Sequence, residues 1–222
     1  ELTSEDITVD IRNNGVKLVG EDYEPTTIGA IDYYEFDYID GMVLSFVGGF
    51  SSTSYVYVST QVQIGGILHS SYLINKAGIY ELIITVNYTE GGTAKQVEKE
   101  IHLTINKVNI DIDFTKTQKY YKDGSKEGAT AQYINKPASV KNSSLTYAYY
   151  EDEELTTSIG IIPENAGTYY VKAFYQDNTN PNYTAEEVSE YIIHKSTATI
   201  TATNADVVYT GVEFDVISII NA

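Results

Sequence analysis

The tetrapeptide Ala77-Gly78-Ile79-Tyr80 returns as Ala166-Gly167-Thr168-Tyr169, an offset of 89 residues (77 to 166). Lys107 returns as Lys195, and Tyr121, which precedes Gly124, returns as Tyr209, which precedes Gly211; both offsets are 88. A chain that repeats at a fixed spacing is assembled from modules, and the spacing sets their number before any detail is considered. The one-residue difference reads as a deletion in an intervening loop.

Inside each repeat the apolar residues alternate. Ile7, Val9 and Ile11 are separated by Thr8 and Asp10; Val108, Ile110, Ile112 and Phe114 by Asn109, Asp111 and Asp113; Ile101, Leu103 and Ile105 by His102 and Thr104; Ala198, Ile200 and Ala202 by Thr199 and Thr201. A period of two puts one set of side chains on one face of a strand, so each segment predicts a strand with one buried face. No segment carries the 3.6-residue stripe of an amphipathic helix. Glu90-Gly91-Gly92 and Asp177-Asn178-Thr179-Asn180-Pro181-Asn182 are turn sequences between strands.

The expected fold class is therefore all-β, as tandem immunoglobulin-like antiparallel sandwiches, since the repeat is close to the roughly 100 residues such a sandwich needs. The predicted division is a module over 1–106, a second over 107–195, and the first strands of an incomplete third over 196–222. With 222 residues, 42% of them hydrophobic and 21 Tyr and 6 Phe among them, each complete module has enough apolar area for a core. Tyr80 and Tyr169 each precede a strand-like stripe: Leu82, Ile84, Val86 and Tyr88 in one case, Val171, Ala173 and Tyr175 in the other. They are the predicted structural corners, tyrosines whose hydroxyls turn back to nearby backbone at the start of the penultimate strand.

Several further segments extend this pattern: Tyr121-Lys122-Asp123-Gly124, Glu164 through Ala173, Asn182-Tyr183-Thr184-Ala185, Tyr191 through Lys195, Thr199-Ile200-Thr201-Ala202 and Tyr209-Thr210-Gly211. Together they make residues 107–222 resemble the immunoglobulin-like repeats, of the mostly bacterial gut type, found in tandem in very large surface proteins. Residues 1–106 share only the Ala-Gly-x-Tyr corner and the final strand. The resemblance implies a cell-surface or cell-wall location, a spacer or adhesive role and no catalytic residues.

Composition narrows the partners. The net charge is −17, from 31 acidic and 14 basic residues, a field that repels nucleic acid and anionic membranes. With no cysteine there is neither a disulfide framework nor a thiolate metal site. No apolar run approaches the roughly 20 residues of a membrane span, so no membrane insertion is expected in this segment. Glu1 does not open a signal peptide, and the chain reads as an internal fragment of an exported protein.

Candidate sites are few. His69, His102 and His194 occupy separate segments without metal-ligand spacing, and Gly48 to Ser54 lacks a nucleophile elbow. Glu151-Asp152-Glu153-Glu154 reads as a solvated acidic turn rather than a glycosidase carboxylate pair. Calcium is the more credible ion, with Asp177-Asn178-Thr179-Asn180, or Asp111 with Asp113, as oxygen donors, although EF-hand spacing and its Gly are missing. No other cofactor is expected. Lys107 and Lys195 invite comparison with the lysine-to-asparagine isopeptide bonds of some Gram-positive surface modules, but their junction position is that of solvated linker lysines. Tyr34, Phe36 and Tyr38 share one face of Ile31 to Asp40, flanked by Asp32, Glu35, Asp37 and Asp40. They are either a ligand-stacking row for sugar rings or the core face of a strand.

The leading functional expectation is a non-catalytic segment of a bacterial cell-surface protein, a stalk or adhesion module that contacts a host surface or polysaccharide. The alternative is a carbohydrate-binding accessory module of a surface glycan-utilisation protein. Residues 196–222, rich in Val, Ile and Phe, are expected to pair their strands with a neighbouring molecule or to pack on the second module.

Overall fold

The computed structural model describes residues 1–69, 73–122 and 126–197. The segment 198–222, with the strand pairing expected of it, lies outside the described residues, as do Asp123 and Gly124. Among the described residues there is no α-helix, only strands and three short 3-10 turns.

Among the described residues, nine strands precede Lys107: β1 (Thr8–Asn13), β2 (Val16–Lys17), β3 (Thr26–Ile28), β4 (Ile31–Asp37), β5 (Leu44–Gly49), β6 (Val56–Ile64), β7 (Ile67–His69), β8 (Gly78–Glu90) and β9 (Thr93–Asn106). They form a three-stranded sheet in the order β2-β1-β5 and a six-stranded sheet in the order β3-β4-β9-β8-β6-β7. Eight described strands follow it: β10 (Val108–Asn109), β11 (Ile112–Lys116), β12 (Gln118–Tyr120), β13 (Thr130–Tyr133), β14 (Leu145–Tyr150), β15 (Gly167–Tyr175), β16 (Tyr183–Thr184) and β17 (Glu186–His194). These make the pairs β10-β16 and β11-β13 and a four-stranded sheet β12-β17-β15-β14. Every sheet draws its strands from one side of Lys107, and β9 and β10 are separated by that residue alone.

The long β8–β9 hairpin shows how local sequence sets register. Gly91 and Gly92 both have positive φ, 56° and 85°, which a two-residue hairpin turn with the right twist requires. Glu90 is thereby placed opposite Thr93, and the pairing runs on without a break to Gly78 opposite Ile105. The register puts Leu82, Ile84, Val86 and Tyr88 on the same face as Val97, Ile101, Leu103 and Ile105, and all eight are buried. Ile11, Leu44 and Phe46 of the smaller sheet, with Ile7 just before β1, belong to the same apolar core. Beyond Lys107, Val171, Ala173, Tyr191 and Ile193 are buried in the same manner, with Tyr149 and Ala129 beside them.

The fold is all-β, built of packed sheets that are mostly antiparallel, with a feature that alternation alone does not show. In each sandwich an early strand runs parallel to the last one: β4 beside β9, and β12 beside β17. A strand that enters at the same end as the final strand can only join it in parallel, with the rest of the sandwich as the crossover. β10 and β16 are a third parallel pair, two residues each.

Tyr34, Phe36 and Tyr38 are 4%, 7% and 8% exposed. The ligand-stacking reading of this row is therefore corrected: the three rings face the core, because β4 is an interior strand of the larger sheet and its even-numbered positions point at the opposing sheet. Tyr23 meets Phe36 edge-on at 5.2 Å, and the Tyr34 hydroxyl donates to the Val9 carbonyl at 3.4 Å. Nothing of this row is left for a sugar to stack on.

Candidate functional site

Among the described residues, two places gather side-chain chemistry, the junction between the sandwiches and one polar spot in the core of the first.

At the junction, β4 runs out into Tyr38 and Asp40, and the first sandwich also offers the backbone of Asn75 to Ala77 just before β8. The second sandwich presents Ser139 from the loop after β13 and Asn182-Tyr183 from the entry to β16. Asp40 Oδ1 accepts from the Tyr183 hydroxyl at 2.6 Å and from Ser139 Oγ at 2.6 Å, and the two hydroxyls lie 3.1 Å apart. The Tyr183 ring stands edge-on to Tyr38, centroids 5.6 Å apart. Asn182 Oδ1 accepts the Ala77 backbone N–H at 2.8 Å, while the Asn182 carbonyl accepts from Val108 N at 3.0 Å.

Burial follows sides. Tyr183 and Asn182 are 3% and 6% exposed, and Tyr183, Ala185, Ile110 and Ile112 join the same apolar cluster as Ile105 and Tyr38. The core of the first sandwich thus continues across Lys107 into the second. Electrostatics fit the contacts. The hydrogen bonds from Ser139 and then Tyr183 hold the Asp40 carboxyl below the usual aspartate range, against the opposing effect of burial. Burial, and then the neighbouring Asp40, push the Tyr183 phenol well above the ordinary tyrosine value.

The turn 177–182 supplies both Asn182 and the shape that aims Tyr183. Asp177 Oδ1 accepts from the backbone N–H of Thr179 at 2.8 Å and from its hydroxyl at 2.6 Å. Tyr175 closes the turn by donating to the Asn180 carbonyl at 2.6 Å. Asp177 is thus the cap of an Asx turn. Among the described residues no group of three or more His, Asp or Glu side chains gathers as a metal site would require.

The corners take the same form in both sandwiches. Tyr80 donates to the Lys76 carbonyl at 2.9 Å and Tyr169 to the Asn165 carbonyl at 3.1 Å, each four residues back. The Ala77 N–H bound by Asn182 lies in the first of these corners, so the repeated tetrapeptide also serves as a docking point for the next sandwich.

Other candidates are dispersed. His102 Nε2 lies 2.8 Å from Glu100 Oε1 on its own strand, and His194 Nε2 lies 3.0 Å from Gln118 Oε1 on the neighbouring one; His69 is on β7. In the acidic turn, Asp152 accepts from Thr156 and Thr157 backbone N–H at 2.8 Å each, which holds its carboxyl below the usual range and makes it a turn cap. Lys107 and Lys195 are exposed.

The polar spot in the first sandwich was not singled out by sequence. Lys99 and Asp32 form an ion pair at 3.0 Å with both side chains 6% exposed. Beside them opens a cleft of about 520 Å³ bounded by Ile7, Asp10, Tyr23, Glu24 and Tyr34. Burial foremost, then the charges of Asp32, Glu24 and Asp10, raise the Tyr34 phenol far above its ordinary value.

No known protein family is matched by the sequence. No curated protein matches it. Among solved structures the chain is similar to a bacterial adhesin described as "Structural insight into host cell surface retention of a 1.5-MDa bacterial ice-binding adhesin". The match has 12% identity and a TM-score of 0.27, over 86% of this chain and 65% of that one. It is also similar to mouse protocadherin-24 EC1-3, with 10% identity and a TM-score of 0.25, over 86% of this chain and 80% of that one. A third likeness is to the neural ectodermal development factor IMP-L2, with 12% identity and a TM-score of 0.22, over 85% and 95% of the two chains. The chain thus spans a little under two thirds of the adhesin chain.

Proposed function

We propose that this chain is a non-catalytic segment of a bacterial cell-surface protein, in which immunoglobulin-like sandwiches set in line act as a stalk that carries an adhesive or binding part away from the cell. The observation that carries the reading is the junction. A single connecting residue, a shared apolar cluster and the Asp40, Ser139, Tyr183 and Asn182 contacts hold one sandwich against the next. Modules that only needed to be tethered would gain nothing from such contacts, whereas a stalk needs each joint to resist bending.

Two further features support the reading. The resemblance of residues 107–222 to tandem surface repeats of gut bacteria supports a location outside the cell, in association with the wall. The net charge of −17 keeps such segments soluble and mutually repelling at the high local concentration of a cell surface. Burial of Tyr34, Phe36 and Tyr38 removes the residues on which the carbohydrate-binding alternative was founded.

Small-angle scattering of the full chain, combined with glycan-array binding, tests the proposal. A stalk gives an elongated envelope and no retained glycan. A compact particle with the sandwiches side by side, or specific glycan retention, overturns it.

A further inference from the structure

Lys99 and Asp32 break the pattern of the sheet that carries them. Asp32 pairs with Ile101 on the neighbouring parallel strand, so Asp32, Tyr34 and Phe36 of β4 share the core face with Lys99, Ile101, Leu103 and Ile105 of β9. Lys99 Nζ lies 3.0 Å from Asp32 Oδ2, with both side chains 6% exposed. The other carboxylate oxygen, Oδ1, accepts the Thr27 hydroxyl at 2.8 Å. Taking two opposite charges out of water has a large desolvation cost, which one contact returns only in part. Conversion of the pair to a neutral group would remove that cost.

The geometry points to a covalent modification site: we propose that Lys99 and Asp32 condense to an intramolecular isopeptide bond that joins β4 to β9. One ammonium proton passes to Oδ2 along the existing contact, leaving an amine beside a carboxylic acid. The Nζ lone pair then attacks Cγ of Asp32 from a position already fixed by the sheet, so the encounter entropy is supplied by folding. Negative charge develops on Oδ1, where the Thr27 hydroxyl already donates, as an oxyanion donor should. The Cγ–Oδ2 bond breaks as Oδ2 takes a second proton from nitrogen and leaves as water. Lys–NH3⁺ and Asp–COO⁻ thus become a secondary amide and one water, with no oxidant, reductant or added reactant.

The leaving water has an exit. Thr27, Asp32 and Lys99 all line the cleft of about 520 Å³ that opens beside them. The bond closes a loop from residue 32 to residue 99 and ties an early strand to the last strand of the sandwich. It goes beyond the stalk reading and stands or falls independently of it.

Intact-mass spectrometry of the full chain, denatured after incubation in the native state, tests the proposal. The expected mass is lower than the sequence mass by one water. Tryptic digestion should yield one branched peptide joining the segment that holds Asp32 to the segment that holds Lys99, with no cleavage after Lys99. The Lys99→Arg variant should regain its full sequence mass, and refolded Thr27→Val should acquire the cross-link more slowly than the wild type. A wild-type chain at its full sequence mass overturns the proposal. So does a water loss that persists in Lys99→Arg or maps to a cyclised Asp-Gly sequence such as Asp40-Gly41 rather than to a branched peptide.

Discussion

The Tyr183 hydroxyl donates to Asp40 at 2.6 Å across 143 residues of sequence, and this bond lies between two sandwiches that share no sheet. Asp40 Oδ1 is where Tyr183 and Ser139 of the second sandwich meet the first, while Asn182 reaches Ala77 a short way along the same seam. The joint is therefore made of specific polar contacts set around a continuous apolar cluster.

A double-mutant cycle on Asp40→Ala and Tyr183→Phe should show coupling of about 1 kcal/mol, at the modest end for a hydrogen bond to a charged group because Asp40 is largely exposed. Denaturant unfolding followed separately in each sandwich would measure it, since a two-module chain need not unfold in one step. Strictly additive single mutants would show that the bond transmits nothing between modules.

The same coupling should depend on acid. The folded Asp40 carboxyl sits below its ordinary value because of the Ser139 and Tyr183 hydrogen bonds, so its contribution is complete above the ordinary carboxylate value. It is lost as the pH falls through the depressed folded value. Repeating the cycle at neutral pH and at successively lower pH should find the coupling complete at neutral pH and declining below the ordinary carboxylate range.

At the alkaline end the sign reverses. Burial pushes the phenols of Tyr175 and Tyr191 up to about 12, and those of Tyr34 and Tyr183 higher still, from an ordinary value of 10.0. A raised folded value means that stability is full below the ordinary value and declines as the pH climbs toward the folded one. Tyrosinate absorbance from these groups should rise together with the loss of β-sheet circular dichroism. Full ionisation near the ordinary value with the sheet signal intact would contradict the burial described above.

Gly48→Ala should destabilise the first sandwich by about 1 to 3 kcal/mol through overpacking. A methyl group on Gly48 of β5 would collide with Val86 Cγ2 and come within 3.2 Å of Ile84 Cγ2, both rigid parts of the opposing sheet. By contrast, Tyr80→Phe and Tyr169→Phe each remove the hydroxyl that bonds the corner backbone and should cost about 0.5 to 1 kcal/mol. Thermal unfolding of the three variants orders them. A Gly48→Ala protein as stable as wild type would place β5 wrongly.

Much of the framework was legible because it is local. Glu90-Gly91-Gly92-Thr93 has the chemistry of a hairpin turn, and alternation from Leu82 to Tyr88 and from Ile101 to Ile105 marks the faces that the structure buries. The parity of β4 was also readable. Asp32 shares its even positions with Tyr34, Phe36 and Tyr38, and Lys99 its odd positions with Val97, Ile101 and Leu103. Charged side chains ordinarily stay in water, so nothing in the pattern marks Asp32 and Lys99 as a buried pair. The junction was not legible. Ser139 and Tyr183 meet Asp40 only after both sandwiches have formed, and no periodicity links positions so far apart. Parallel pairing of β4 with β9 is likewise a matter of which strand ends come together.

The central claim is that the two sandwiches are held in one relative orientation. Because the chain contains no cysteine, spin labels placed through Ser52→Cys and Glu153→Cys, one exposed position in each sandwich, report it without interference. Pulsed electron paramagnetic resonance on the doubly labelled chain should give one narrow distance distribution, which broadens when Asp40→Ala and Asn182→Ala are added. A broad or multimodal distribution in the chain with its junction intact would contradict the account.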